Sequence, residues 1–277
     1  MWLAVDAGGG GVRAWPVDAG GAPGAEIAAP DLAGVLARLA AKPDLAVVDG
    51  AADAPPVDRP AGIADLAAAV AQRTVAGVPC AILPRLALGG VALEGAARLA
   101  GALSQMHAER PAARARHVCL IGGDVEWAHA AEGRVGRLRR TGIGARLDAL
   151  LRGGSARSAG GVDEDDDVAF ERGLSLSEEG GDPEPRIAAV LKEAASGARR
   201  GGALGAMLAG VLVGADAAMG LNLGRLGGPV ALVGPADPRH ALMARRYAVA
   251  LGRFGVAVRR LDPLASFLGG CRVLASK

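Results

Sequence analysis

The chain of 277 residues has few aromatic side chains and few cysteines and histidines. Only 3% of its residues are aromatic although 51% are hydrophobic, so Ala, Val and Leu must build most of the core. Small apolar side chains favour closely packed helices and strands, because protein interiors are packed without voids. The length allows one large domain or two of ordinary size.

The scarcity of cysteine and histidine excludes two kinds of stabilisation. Cys80, Cys119 and Cys271 lie far apart in apolar runs, a pattern that predicts buried reduced thiols rather than disulfides. None of the four histidines has metal-ligand spacing with another histidine or with a cysteine, so we expect no structural zinc. The first residues do not resemble a signal peptide. These features predict a cytoplasmic protein.

The charges are nearly balanced. The net charge of +2 argues against a nucleic-acid partner. Arginines at positions 134, 137, 139 and 140 alternate with Val135 and Leu138, which favours the solvated face of a strand over a ligand site. The acidic run 163–167 is either a cation site or a helix N-terminus, and the helix N-terminus is favoured. The most apolar stretch, 203–221, contains glycines and Asp216, and this favours a buried helix over a membrane span.

The opening segment is the most informative part of the chain. An apolar run, Trp2 to Val5, ends in Asp6, and four glycines (Gly8, Gly9, Gly10 and Gly11) precede a second run from Val12 to Val17. Glycine lets backbone N–H groups approach a ligand closely, so this strand–turn–strand unit can bind phosphate oxygens. Asp6 can hold a hydrated Mg²⁺ ion. The alternative is a glycine-rich β-hairpin with an exposed aspartate, and both interpretations remain open.

The same pattern returns at His117. An apolar run is followed by Gly122, Gly123 and Asp124, and a second strand carries Trp127. We predict strands, in numerical order, at 2–5, 12–17, 25–28, 45–48, 80–83, 117–121, 125–128, 135–139, 230–233 and 256–258. Helices are expected over 63–72, 91–106, 204–219 and 241–254, after Asp31, from Ile187 and after Asp262.

A repeated pattern of this kind indicates an internal duplication. Two βββαβ halves around a cleft, each with a phosphate-binding hairpin, describe the two-lobed actin-like ATPase (ribonuclease H-like) α/β fold of sugar kinases. We expect an N-terminal lobe over 1–110 and a C-terminal lobe over 111–277, with both glycine turns facing one cleft.

The chain also resembles the 2-dehydro-3-deoxygalactonokinases over nearly its full length. Asp6-Ala7-Gly8 with Arg13-Ala14-Trp15 is similar to the family's D-W-G-T-x-x-x-R-A-W. Leu208 to Asp216 resembles its S-G-L-L-I-G-x-E helix, and Phe170 to Leu174 resembles the helix after the second hairpin. The run Val230 to Gly234 and the helix that follows resemble its adenosine-side strand and helix.

The resemblance implies transfer of the ATP γ-phosphoryl group to a 2-keto-3-deoxy sugar acid, with ATP and Mg²⁺ as cofactors. It implies phosphate or nucleotide contacts at Gly8, Gly9, Gly10, Gly11, Gly122, Gly123 and Gly234. Asp6 is the expected metal residue, and Arg13 and Glu94 are the expected substrate residues. Asp124 is either a catalytic base or a turn residue, and the turn is favoured. A sugar acid and a nucleotide are the expected partners, with no membrane; a homodimer or a protein partner remains open.

Several positions depart from the family pattern. The first hairpin lacks the family's hydroxyl side chain. The second hairpin, Gly122 to Trp127, aligns with the family's G-T-H-S-K-W, and here Asp124 stands in place of the histidine and Glu126 in place of the lysine. The family's R-G-E-E aligns with Gly90 to Ala96, where the arginine and one acid are missing. Like charges near a phosphate cost energy unless a cation bridges them. We therefore expect reduced kinase activity; the alternative is an inactive relative that binds a ligand or a partner protein.

Overall fold

The computed structural model describes residues 1–8, 11–58, 60–88, 90–93, 95–122, 124–152, 166–177, 182–195, 202–234 and 241–276. The strands of its first half are β1 (Trp2–Asp6), β2 (Val12–Val17), β3 (Ile27–Ala29), β4 (Leu45–Asp49), β5 (Pro56–Val57), β6 (Ala61–Gly62), β7 (Ala71–Val75), β8 (Val78–Ile82), β9 (Arg85–Leu88) and β10 (Val91–Leu93). Those of the second half are β11 (Ala115–Ile121), β12 (Val125–Ala131), β13 (Arg134–Thr141), β14 (Val230–Val233) and β15 (Val258–Leu261).

Helices lie between and after these strands. They are α1 (Leu32–Ala37), α2 (Ile63–Ala68), α3 (Ala96–Glu109), α4 (Ile143–Arg152), α5 (Asp167–Ser177), α6 (Glu184–Ala195), α7 (Gly202–Leu221), α8 (Ala241–Arg253) and α9 (Pro263–Ala275). As expected from their sequence positions, Asp31 caps α1 and Asp262 caps α9: their side chains accept hydrogen bonds from the N–H groups of Gly34 and Ala265.

The two halves repeat one strand order. The first sheet has the order β3-β2-β1-β4-β8-β7, and a second has the order β15-β14-β11-β12-β13-β6. In each, an antiparallel three-strand unit opens the half, and two further strands are added parallel to its first strand. The carboxyl ends of β1, β4 and β8 therefore share one edge of the first sheet, and those of β11, β14 and β15 share one edge of the second.

Helices α3 and α9 pack against each other between the two sheets. Their backbones come close because each contributes a glycine to the contact: a Cβ added to Gly101 would lie 1.8 Å from the carbonyl oxygen of Ser266, and one added to Gly270 would lie 1.7 Å from that of Ala97. Around them, one apolar cluster includes side chains from both sheets, such as Trp15 and Leu120, together with Phe267 of α9. The lobe boundary near residue 110 stays a prediction.

The outer faces of the two sheets carry separate cores. Val35 of α1 packs with Leu3 and Val48 on the first sheet. On the second sheet, helices α4 to α8 cover Trp127 and its neighbours. Helix α7 is apolar and long enough to cross a membrane, but 83% of its most apolar window is buried in the fold, as expected for a core helix. The three cysteines are free and buried, as predicted.

Several stretches differ from the sequence-based expectation. The last strand, expected over 256–258, is β15 at Val258–Leu261. Residues 91–93 form strand β10, paired with β9, and helix α3 begins only at Ala96, after Gly95. The expected helix over 63–72 ends at Ala68, because Ala71–Val75 turns back along β8. Ala76 and Gly77 both have positive φ angles, of 48° and 73°, which is the geometry of a tight hairpin turn.

Candidate functional site

Two buried carboxylates mark the carboxyl edge of the first sheet. Asp6 and Asp49 end the adjacent parallel strands β1 and β4 and are direct partners in the register. They are 8% and 3% exposed, so both carboxyl groups are almost removed from water. Open α/β sheets bind ligands at this edge, where the strands end and the connecting loops begin. The pair therefore identifies the first part of the candidate site.

Two arginines face the Asp6 carboxylate. Nη2 of Arg13, on β2, donates to Oδ2 of Asp6 at 2.8 Å. Nη2 of Arg98, in the first turn of α3, lies 4.0 Å from the same oxygen. The Arg13 guanidinium also lies 5.7 Å from the centre of the Trp15 ring, so it does not extend freely into solvent. The sequence-predicted metal and substrate residues Asp6 and Arg13 are thus brought together as an ion pair.

The N-terminus of α3 connects this pair to the second sheet. The backbone N–H of Ala97 donates to Oδ2 of Asp49 at 3.1 Å. On the other side, a Cβ added to Gly95 would lie 3.5 Å from Cδ1 of Leu120, which pairs with Glu126 in the second hairpin. A helix N-terminus attracts negative charge. The first turn of α3 therefore presents a positive end where the two sheets meet.

The ionisation of Asp49 is strongly perturbed. Burial raises the pKa of its carboxyl from 3.8 to about 7, and the Asp6 charge adds to the increase, while the Arg98 guanidinium opposes it. A carboxyl group with a pKa near neutrality holds or releases a proton at the working pH of an enzyme. The Asp49 carboxyl, at the carboxyl edge of the first sheet, is therefore expected to be partly protonated near pH 7.

The second hairpin contains an ion pair that neutralises part of its acidic charge. Nε of Arg140, on β13, donates to Oδ2 of Asp124 at 2.8 Å. The same nitrogen lies 3.9 Å from Oε1 of Glu126. A carboxylate oxygen that already accepts a hydrogen bond from a guanidinium is less available to accept one from a substrate hydroxyl. This contact favours the structural role of Asp124 over the catalytic one, which stays a prediction.

The predicted phosphate-binding glycines have mixed environments. The N–H of Gly8 donates to Oδ1 of Asp6 at 3.2 Å, and that of Gly122 donates to the Asp124 carbonyl at 2.9 Å, so both are used within their own turns. Gly234 follows β14 beside the end of β11, and a Cβ added to it would meet no atom within 4 Å. Gly11 follows the first turn at the start of β2. Gly9, Gly10, Gly123 and the predicted substrate residue Glu94 lie outside the described residues.

Close approach of two loops explains the need for glycine at one further position. Gly50 follows Asp49 with a φ angle of 77°, and a Cβ there would lie 2.9 Å from the backbone nitrogen of Gly8. The first glycine turn and the loop after β4 are thus in contact. Any side chain at Gly50 would push the turn away from the Asp6–Asp49 pair.

Asp216, in α7, is a buried carboxylate that binds side chains of β12 and α8 in the second half of the chain. It is 2% exposed and accepts hydrogen bonds from Nε1 of Trp127 at 2.8 Å and from the hydroxyl of Tyr247 at 2.6 Å. Nε of Arg139 lies 3.3 Å from its other oxygen. Because Asp216 joins α7, β12 and α8, we assign it to the stability of the lobe rather than to ligand binding.

Sequence analysis missed three of these residues. Asp49 is not among the site residues predicted from the sequence, although its place at the end of an apolar run after Leu45 parallels that of Asp6. Arg98 lies just beyond the segment that aligned with R-G-E-E, and Arg140 belonged to an arginine cluster interpreted as a solvated face. All three are recognisable only when strand order and helix position are known.

Among the described residues, no group of three or more His, Cys, Asp or Glu side chains is arranged to hold a metal ion. A metal–nucleotide complex needs fewer protein ligands, because Mg²⁺ keeps several waters and binds phosphate oxygens. One carboxylate such as Asp6 is therefore a sufficient protein contribution, and the residues present fit such an ion.

Comparison with known proteins identifies the family. The family model described as 2-keto-3-deoxy-galactonokinase matches residues 46–273, which is most of the chain. The chain belongs to the 2-keto-3-deoxy-galactonokinase family. No curated protein matches it. The family resemblance of the sequence motifs is thereby confirmed.

One of the solved structures that are similar to this chain shows the fold. A protein of Sinorhizobium meliloti, provisionally assigned as a 2-dehydro-3-deoxygalactonokinase, superposes with a TM-score of 0.81 at 22% identity over 99% of this chain and 98% of its own. The activator of 2-hydroxyisocaproyl-CoA dehydratase from Clostridium difficile, with bound ADPNP, superposes with a TM-score of 0.48 at 14% identity. The match covers 97% of this chain and 92% of the activator. A ROK family glucokinase of Streptomyces griseus, in complex with glucose and AMPPNP, superposes with a TM-score of 0.46 at 15% identity, and the match covers 97% of each chain. The prediction of the two-lobed actin-like fold with duplicated halves is confirmed.

Proposed function

We propose that the chain transfers the γ-phosphoryl group of ATP to a hydroxyl of a 2-keto-3-deoxy sugar acid. The observation that supports this most is the cluster of Asp6, Asp49, Arg13 and Arg98, which lies at the carboxyl edge of the first sheet in a member of this kinase family. Phosphoryl transfer depends on positioning and on stabilising charge, and this cluster offers both.

Three residues of the cluster have separate roles in the proposal, and Arg13 stays the predicted substrate residue. Arg98 and the N-terminus of α3 provide positive charge toward anionic groups of the nucleotide or the sugar acid. Asp6 holds the hydrated metal, and Mg²⁺ supplies neutralisation of the phosphate oxygens when it is bound. Asp49 is a positioning residue, because its Oδ2 holds the first turn of α3 and thereby the side chain of Arg98.

We expect the activity to be low. The second hairpin has no lysine or hydroxyl side chain at its described positions, and loss of one charge-stabilising donor costs about 10²- to 10³-fold in rate. Arg140 offsets part of the acidic charge but pairs with Asp124 rather than pointing freely toward a phosphate. The alternative, an inactive ligand-binding relative, follows from the same substitutions.

A coupled assay for ADP release, run with a panel of 2-keto-3-deoxy sugar acids, tests the proposal. We expect turnover with 2-dehydro-3-deoxygalactonate to lie below the range of about 1–100 s⁻¹ that is usual for kinases. Arg98→Ala should lower kcat/KM by roughly 10²-fold. Arg152→Ala removes an exposed arginine at the end of α4, which pairs with Asp148, and should leave the rate unchanged.

Three outcomes are distinguishable. Equal rates for Arg98→Ala and the parent chain would show that this cluster is not the site of transfer. No turnover with any sugar acid, together with a thermal shift by Mg-ATP, would favour the inactive alternative. Turnover at ordinary kinase rates would contradict the inference drawn from the hairpin substitutions.

We also propose that the enzyme works in the cytoplasm. Its three cysteines are reduced and buried, and its long apolar helix α7 lies within the fold. A sugar acid and a nucleotide are its proposed partners, and a homodimer or a protein partner remains a separate hypothesis.

A further inference from the structure

Arg98 is a cation of the candidate site whose side chain donates no hydrogen bond to any residue that the structure describes. Its Nη2 lies 4.0 Å from Oδ2 of Asp6, which is too far for a hydrogen bond. Its side chain is 23% exposed, so most of it is removed from water while a part still faces solvent. Burying the N–H donors of a guanidinium without acceptors costs free energy. The group therefore favours an acceptor that comes from outside the chain.

The acidic groups beside Arg98 are engaged by other donors. Oδ2 of Asp6 accepts from Nη2 of Arg13 at 2.8 Å, and Oδ2 of Asp49 accepts from the N–H of Ala97 at 3.1 Å. Asp49 is also partly protonated near neutral pH, because burial raises its pKa to about 7. The positive charge of Arg98 is therefore only partly balanced, and an anion of charge −1 would balance the cluster when Asp49 is protonated.

Arg98 is held where the two sheets meet. It lies in the first turn of α3, and a Cβ added to Gly95 would lie 3.5 Å from its Nε and 3.5 Å from Cδ1 of Leu120. Leu120 is in β11 of the second sheet, and Asp6 ends β1 of the first. Ligands of open α/β sheets bind beyond the carboxyl ends of the strands. The guanidinium is therefore placed beside a ligand that would lie between the two halves of the chain.

We propose that Arg98 binds the carboxylate of the sugar acid and thereby selects acids over neutral sugars, an inference that rests on the proposed function. A guanidinium forms paired hydrogen bonds with a carboxylate, whose single charge matches the charge that the cluster lacks. The triphosphate of ATP carries several negative charges, which in the proposed function are met by Mg²⁺, so a single guanidinium matches it less closely. A neutral sugar would leave the N–H donors of Arg98 without an anion, and a site built for a polar group rejects a ligand that lacks its partner.

Isothermal titration calorimetry with 2-dehydro-3-deoxygalactonate and with its primary amide, which keeps the shape and removes the charge, tests the proposal. We expect the parent chain to bind the acid at least about tenfold more tightly than the amide, the usual value of a charge-assisted hydrogen bond. In Arg98→Gln this preference should fall to about one. Glutamine is a good helix former, so the fold should be retained, and circular dichroism checks it. Arg98→Lys keeps the charge without the paired geometry and should retain only part of the preference.

Arg152→Gln is the matched control, because it makes the same change in net charge at an exposed arginine of α4 and should keep the full preference for the acid. Equal binding of acid and amide by the parent chain would overturn the proposal. So would a preference that persists in Arg98→Gln, and a weaker binding of Mg-ATP in that variant would then assign Arg98 to the nucleotide. A preference in Arg98→Lys as large as that of the parent chain would overturn the paired hydrogen bonds.

The same measurements separate this proposal from the proposed function. A parent chain that prefers the acid through Arg98 but transfers no phosphoryl group to it would support the carboxylate site and contradict the proposed function. Phosphorylation of the sugar acid, with a preference that does not depend on Arg98, would do the reverse. No binding of the sugar acid at all would overturn both.

Discussion

The buried carboxyl of Asp49 should make the stability of the protein fall as the pH rises toward 8. Its pKa is raised from 3.8 to about 7 in the folded protein, mainly by burial. A group whose pKa is higher in the folded state contributes stability that is complete below the lower value and is lost as the pH passes the higher one. The stability that Asp49 contributes in its protonated form is therefore lost between about pH 4 and pH 7.

The size of this effect follows from the two pKa values. One pKa unit corresponds to about 1.4 kcal/mol, so ionising Asp49 costs about 4 kcal/mol more in the folded protein than in the unfolded chain. Between pH 5 and pH 8, roughly 2–3 kcal/mol of this cost develops, because part of it has already developed below pH 5. Asp49→Asn removes the titration and keeps an oxygen that can accept from the N–H of Ala97. The variant should therefore lose about 2 kcal/mol less stability than the parent chain over this range.

Urea unfolding at pH 5, 6, 7 and 8 measures the difference. Asp53→Asn is the control: Asp53 lies on the exposed loop after β4, and its ion pair with Arg73 lowers the pKa of its carboxyl, so it stays ionised throughout this range. Parallel stability curves for the parent chain and Asp49→Asn would refute the reasoning, because they would show that Asp49 is ionised normally in the folded state.

Three further experiments, with four variants, test other parts of the structure. Asp6→Asn should abolish the Mg²⁺-dependent part of the thermal shift caused by ATP while the circular dichroism spectrum is retained; an unchanged shift would argue against a metal role. Asp216→Ala should destabilise the protein by about 3 kcal/mol in urea unfolding, and Tyr247→Phe by only about 1 kcal/mol, because the first change leaves several buried donors unsatisfied. Similar losses in both variants would contradict this. Burial and the neighbouring His129 lower the pKa of His117 to about 4. As the pH falls from 7 to 5, the free energy of unfolding of the parent chain should therefore decrease by about 2 kcal/mol more than that of His117→Phe. Equal decreases would show that His117 is not buried in its neutral form.

The duplicated fold was predictable because its signal is local and repeated. The two strand–turn–strand units at Trp2 and His117 are written in consecutive residues, and each places a tryptophan on its outgoing strand. Apolar runs and glycine turns are short-range patterns, so their interpretation did not depend on the rest of the chain. The parallel additions at β4 and β14 then follow the usual rules for connecting strands.

The small elements between Pro56 and Leu93 were less predictable. Strands of two to four residues carry too few side chains for a clear alternation, and β10 reads as the first turn of α3 in the sequence. Its strand conformation depends on pairing with β9, which is a tertiary contact. The hairpin between β7 and β8 likewise required Ala76 to adopt a positive φ angle, which its side chain does not favour.

The candidate site was half predictable for a related reason. Asp6 and Arg13 lie in one hairpin, so their pairing follows from the local register of β1 and β2. Asp49 and Arg98 reach the same place only because β4 lies beside β1 and because α3 starts at the end of the sheet. Neither residue stands in a motif that sequence patterns alone assign to ligand binding.

The charges of the two hairpins explain why fold and activity need separate tests. At the first hairpin, two arginines face two carboxyl groups, one of which has a pKa near 7, so the described cluster is neutral or weakly positive at neutral pH. At the second hairpin, Asp124 and Glu126 share Arg140, which leaves one negative charge among these three side chains. We therefore expect the first hairpin to be the more favourable of the two for the phosphate chain of the proposed ATP. Replacing Glu126 with lysine would change that balance by two charges, and a rise in turnover in this variant would show that electrostatics at the second hairpin, not the fold, limits the reaction.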